Sequence, residues 1–218
     1  MKMLRALIPT IVLVGSVAWG SIPVQAGASQ ARPSIDTQAP AAIASVLTKA
    51  GTGDKVLKFR ARTVPTVAKI TNRGGGNFAI VAYKGTSYDD LLVNEIGSYA
   101  GQVYIAPGVN LLKLTSDGAW TVDIKPYTAA RRWNGKSAIS GKGDAVILLT
   151  GGAFGSTVVK NQGAGNFAVI AYGTDGEYLD LLVNEIGAYS GEVLLTDADQ
   201  MLLSVHAVGG AWSFSRIE

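Results

Sequence analysis

The sequence predicts an all-β protein made of two tandem antiparallel β-sandwich domains. Three observations lead there. The apolar runs, rich in Val, Ile, Leu, Phe and Tyr, are short and are broken by Gly, Asn, Asp or Pro at intervals of roughly ten residues. Neither half carries a convincing amphipathic helical period. The pattern also occurs twice, and the octapeptide DLLVNEIG at 90–97 returns unchanged at 180–187.

Taken in order, the chain opens with Lys2 and Arg5, an apolar run over 6–19, and small residues at Val24 and Ala26. That layout is a secretory signal over 1–26, with cleavage expected after Ala26. The apolar run is too short and wrongly flanked for a membrane span. No second such run follows, so no membrane span is expected once the signal is removed, and the chain should be soluble and extracellular. Residues 27–50, rich in Ala, Ser, Gln and Pro, read as a flexible linker with one weak helical turn over 41–47. Repeat 1 covers 51–127, with strands expected at 55–59, 64–71, 78–83, 90–94, 101–105, 111–115 and 120–124. An inter-repeat segment, 128–140, supplies a first strand to repeat 2, which covers 141–218. This many short strands in under a hundred residues fit an immunoglobulin-like or jelly-roll-like sandwich.

Composition excludes several functions. The chain has 19 Lys and Arg against 16 Asp and Glu, and taking Lys2 and Arg5 away with the signal leaves 17 against 16. A near-neutral product gives no support to a nucleic-acid or anionic-membrane partner. The absence of cysteine removes disulfides, thiol nucleophiles, thiolate zinc sites and iron–sulfur clusters together. His206 is the single histidine, and no nucleophile-elbow pattern accompanies it. No enzymatic activity and no cofactor are therefore expected.

The duplicated residues carry the functional question. Glycine-rich loops at 72–77 and 161–166 run into strands rather than helices, so they read as hairpin turns using positive φ, not phosphate cradles. Trp120 and Trp212 begin alternating strands and read as core residues, with an aromatic sugar platform as the second reading. Tyr99 and Tyr189, each ahead of a glycine two residues on, read as tyrosine corners with the hydroxyl tied to nearby backbone. The Leu-Leu-Val run of the octapeptide reads as a central strand, buried on both sides, that leads into this corner. Its polar members admit a second reading: Asp90, Asn94 and Glu95, repeated as Asp180, Asn184 and Glu185, would form an oxygen-rich ligand or calcium site. The frame is not that of an EF-hand, and no metal is assigned. Asp90 and Glu95 fall on opposite faces of a regular strand, which disfavours a glycosidase pair. Trp133 has no duplicate and is either a linker–domain contact or an exposed ligand contact.

The order G-x-G-D (51–54, 141–144), G-N-F (76–78, 165–167), D-L-L-V-N-x-I-G-x-Y-x-G (90–101, 180–191) and G-x-W (118–120, 210–212) resembles a β-sandwich repeat of secreted actinobacterial-type proteins. The resemblance spans both repeats. It implies a secreted sandwich and brings no catalytic residue with it. The expected function is non-catalytic binding or surface interaction, with a polysaccharide or cell-envelope component as partner. A purely structural envelope component is the alternative, and a glycan-cleaving hydrolase the least favoured reading.

Overall fold

The computed structural model describes residues 43–151, 155–196 and 201–217. The expected signal and most of the expected linker lie outside them. The described chain is all-β and folds into four sheets whose pairings are antiparallel with one exception. Sheet 1 holds β1 (Leu47–Thr52), β8 (Ala119–Pro126), β3 (Thr66–Asn72) and β6 (Tyr99–Ile105), in that spatial order. Sheet 2 holds β2 (Lys55–Lys58), β7 (Leu111–Thr115), β4 (Asn77–Lys84) and β5 (Ser87–Ile96). Sheet 3 repeats the order of sheet 1 with β10 (Ile139–Lys142), β17 (Ala211–Arg216), β12 (Gly155–Asn161) and β15 (Tyr189–Leu195). Sheet 4 repeats sheet 2 with β11 (Ala145–Leu149), β16 (Met201–Ala207), β13 (Asn166–Gly173) and β14 (Tyr178–Ile186). It adds β9 (Arg131–Trp133), which runs parallel to β11. The sequence duplication is thus a duplication of strand order.

Alternation along the strands builds the cores. Phe78, Ile80 and Ala82 of β4 face Trp120, Val122 and Ile124 of β8 in one buried cluster. Phe167, Val169 and Ala171 of β13 share a second with Trp212 and Phe214 of β17. Burying one such large side chain contributes about 1.5–3 kcal/mol before ordering costs. Both tryptophans lie in these cores, as their alternation predicts, and each indole N–H donates to a turn carbonyl at 2.8 Å, Trp120 to Gly53 and Trp212 to Gly143. The G-x-G-D and G-x-W motifs are therefore two halves of one contact. Gly51 and Gly141 lie against the indole rings, where a Cβ would collide, while Gly53 and Gly143 turn at φ +69°.

A third buried cluster joins the two repeats. Val67, Tyr104 and Ala130 pack against Val146, Leu148 and Leu202. The rings of Tyr104 and Tyr172 stack at 4.0 Å and 6°. Repeat 1 supplies the outer side of sheet 1 to this joint, and repeat 2 supplies the outer side of sheet 4.

Several expectations need correcting. The linker ends earlier than expected, because 47–50 belong to β1, which pairs with β8 over its whole length. No helical turn forms at 43–47; pairing to β8 and hydrogen bonds from Ser45 and Thr48 to Asp123, 2.7 and 2.8 Å, hold that segment extended. The glycine-rich loops are not hairpins, since β3 and β4 lie in different sheets, as do β12 and β13. Gly74–Gly76 lie outside the positive-φ glycines; they are small because Gly118 and Asp117 crowd Gly74 and Asp117 crowds Gly76.

Candidate functional site

The octapeptide is not a central strand. β5 and β14 are the edges of sheets 2 and 4, each bonded to one neighbour. The Leu-Leu-Val run has another cause. Ile80 pairs with Val93 but Val81 pairs with Leu91, so Leu92 is an extra residue in a β-bulge. Leu182 is its counterpart between Val183 and Leu181. The bulge turns two consecutive side chains, Leu92 and Val93, toward the same core. Apolar residues in a row thus report a break in alternation, not burial on two sides.

The same bulge rearranges the expected polar site. Residues paired directly across an antiparallel ladder point to the same face. Asp90 lies opposite Ala82 and Glu95 opposite Phe78, while Asn94 lies opposite Ala79. Ala82 and Phe78 face the core. Asp90 and Glu95 therefore share the inner side of the edge strand, against the expectation of opposite faces, and Asn94 points outward. The second repeat does the same, with Asp180 opposite Ala171, Glu185 opposite Phe167 and Asn184 opposite Ala168. The three polar residues of each copy do not converge. Asp90 accepts the Leu91 N–H at 2.8 Å, a bond to its own neighbour. Among the described residues no group of three or more metal-ligating side chains forms.

Trp133 is also displaced from the candidate set. It is 4% exposed and belongs to the core of repeat 2, 5.9 Å from the ring of Phe214, with its indole N–H donating to Ser137 at 2.7 Å. Of its two sequence readings, the contact between linker and domain is the one that fits this placement.

The outward side of β5 and β14 carries large apolar side chains that stay exposed. Ile96 is 84% exposed and Ile186 83%. Leu91, Leu181, Tyr88 and Tyr178 are exposed beside them, with Asn94 and Asn184 between. Other duplicated residues have internal duties. Asn72 donates to the carbonyl of Gly97 and Asn161 to that of Gly187, both at 2.8 Å. Gly97 and Gly187 turn at φ +92° and +96°. Asp54 accepts the Ser116 N–H and Asp144 the Ala207 N–H, both at 3.0 Å.

A second place of interest lies where the repeats meet. A groove of about 440 Å³ is lined by Glu95, Tyr99, Lys142 and Asp144 among others. The Tyr99 hydroxyl donates to Asp144 Oδ2 at 2.8 Å, so the expected backbone partner of the corner is instead a carboxylate of the other repeat. The Gln102 N–H donates to the Asp144 carbonyl at 3.0 Å beside it. Burial, and then the Asp144 charge, raise the Glu95 carboxyl above its ordinary value. The same two causes hold the Tyr99 hydroxyl well above the usual phenol range. Both oxygens of Asp144 serve structural bonds, which leaves Glu95 as the uncommitted carboxylate of this groove. The tie between Tyr99 and Asp144 was not readable from the sequence, because it joins residues of different repeats; the only signal was that both belong to duplicated motifs.

Among the described residues no helix is long and apolar enough to cross a membrane. No protein-family model matches the chain, and the search of curated proteins found no match either.

Proposed function

We propose that this chain is a secreted, non-catalytic binding protein of two tandem β-sandwich domains, and that it meets its partner through the outward side of β5 and β14. The carrying observation is that the one octapeptide kept letter for letter lies on exposed edge strands, with Ile96 and Ile186 more than four-fifths exposed. An edge strand offers unpaired backbone groups and a row of alternate side chains, which suits an extended partner. Two such edges on one chain raise avidity without demanding tight single sites. A polysaccharide or other cell-envelope polymer, itself repetitive, matches a duplicated site. The structural-component reading is supported by how many other duplicated residues are engaged in internal bonds.

The test is retention of the purified chain on insoluble cell-wall and polysaccharide preparations, with and without calcium. Retention should fall in the double variants Ile96→Asp/Ile186→Asp and Asn94→Ala/Asn184→Ala. No retention on any preparation would sink the polymer-binding reading. Retention unchanged in both variants would move the site away from the octapeptide.

A further inference from the structure

The joint between the repeats has a direction. Repeat 1 presents a plug: Tyr99, Gln102 and Tyr104 on β6. Repeat 2 presents a socket: Asp144, Ala145 and Val146 at the start of β11, with Tyr172 behind them. Tyr99 meets Asp144, Gln102 meets the Asp144 backbone, and Tyr104 stacks on Tyr172. Each repeat carries both surfaces, because each has both kinds of sheet. One joint therefore leaves one plug and one socket open. Repeat 2 keeps an unused plug, Tyr189, Glu192 and Leu194 on β15. Repeat 1 keeps an unused socket, Asp54, Lys55 and Val56, with Tyr83 behind.

Burial follows this asymmetry. Val146 is fully buried in the joint, whereas its counterpart Val56 is 49% exposed. Tyr104 is 6% exposed and its counterpart Leu194 65%. Asp144 Oδ2 accepts a tyrosine hydroxyl, while no described residue hydrogen-bonds the second oxygen of Asp54 or the hydroxyl of Tyr189. The aromatic backing is preserved: Tyr83 packs edge-on against Tyr88 at 6.4 Å, as Tyr172 does against Tyr178 at 6.2 Å. The substitutions between the used and unused surfaces are complementary. Gln102 of the used plug becomes Glu192 on the open one. Leu148 and Ser204 become Lys58 and Lys113, which makes the open socket basic as well as apolar.

We propose that a second copy of this chain docks its open plug, Tyr189, Glu192 and Leu194, into the open socket of the first, Asp54, Lys55 and Val56. The contact is head-to-tail, and a heterologous contact closes into a ring or extends into a filament according to its rotation. It is weaker than the internal joint, which has the connecting segment and β9 to hold it, and it depends on salt because charge replaces apolar area. This assembly does not rest on the polymer-binding reading, since β15 and β2 differ from the edges β14 and β5.

The test is sedimentation equilibrium of the full purified chain across a concentration series at low and high salt. Mass should rise with concentration beyond one chain, and the rise should diminish at high salt. Lys58→Glu and Leu194→Glu change exposed residues, so circular dichroism should report an unchanged fold. Each alone should weaken association about tenfold or more. A mixture of the two variants has one intact plug and one intact socket, and should form one-to-one pairs that grow no further. A chain that stays single at every concentration and low salt overturns the proposal. So does association that neither single variant weakens, or a mixture that behaves like either variant alone.

Discussion

Replacing Tyr99 with Phe removes one oxygen and leaves the ring. In the wild-type chain that oxygen donates to Asp144 Oδ2 at 2.8 Å in a partly buried place, and the ring stays packed 5.7 Å from Phe78. Hydrogen bonds to charged groups contribute about 1.5–3 kcal/mol. Phe causes no cavity, and Asp144 Oδ2 borders a groove that water can enter, so the lower half of that range applies, about 1.5–2 kcal/mol. For a fold of this size that shifts Tm by roughly 3–8 °C. Tyr189→Phe is the matched control. Its ring sits 6.0 Å from Phe167 in the same way, but its hydroxyl, lying over Gly191, makes no hydrogen bond to a described residue. Urea unfolding at low protein concentration, where chains are unassociated, should show the first variant destabilised and the second within about 0.5 kcal/mol of wild type. Equal losses in the two variants would refute the reasoning, because they would trace the effect to the ring or the corner and not to the tie between repeats.

Three further outcomes follow from particular contacts. Gly51→Ala or Gly141→Ala forces a methyl into the Trp120 or Trp212 ring, and should cost about 1–3 kcal/mol with a shift in tryptophan emission. Trp133→Ala empties a core position and should cost about 3–5 kcal/mol in chemical unfolding, far beyond the effect expected of an exposed ligand contact. The raised Glu95 carboxyl binds its proton more readily in the folded chain than in the unfolded one. It therefore favours folding at acid pH, and that contribution is lost as pH rises from the ordinary carboxylate value through the raised one. Glu95→Gln should gain stability relative to wild type at neutral pH and little below the ordinary carboxylate value, and pH-dependent unfolding curves of the two chains would show the difference.

The strands of both repeats were legible because a half-buried strand writes its period into the sequence: Phe78, Ile80, Ala82 and Trp120, Val122, Ile124 alternate without a break. β1 was not legible, since Leu47–Thr52 is an exposed edge in which no residue is fully buried. Its partner is the only thing that makes it a strand. The octapeptide misled for a related reason. A bulge places two neighbours on one face, and in one dimension that looks like a strand buried on both sides. The candidate site inherited the error: Asp90, Asn94 and Glu95 are near in sequence, but parity across the bulge sends Asn94 away from the other two. Trp133, the one tryptophan among the described residues without a duplicate, carried no periodic signal to mark it as core.

The repeated edge has a kinetic consequence. NFAIVAY in β4 and NFAVIAY in β13 differ only by exchanging Ile and Val, and their hairpin partners share the octapeptide. During folding, β14 can pair with β4, or β5 with β13, in the correct register and with almost the correct energy. The strand sequences themselves do not reject the mistake; it is exposed when the rest of a repeat tries to close around a borrowed strand. Neighbouring domains that are too alike invite this misassembly. Refolding should therefore split into a direct route and a slower one that must first release the exchanged hairpin, and divergence of the flanking loops, such as GTSY at 85–88 against TDGEY at 174–178, gives each strand a preferred partner before the error can set.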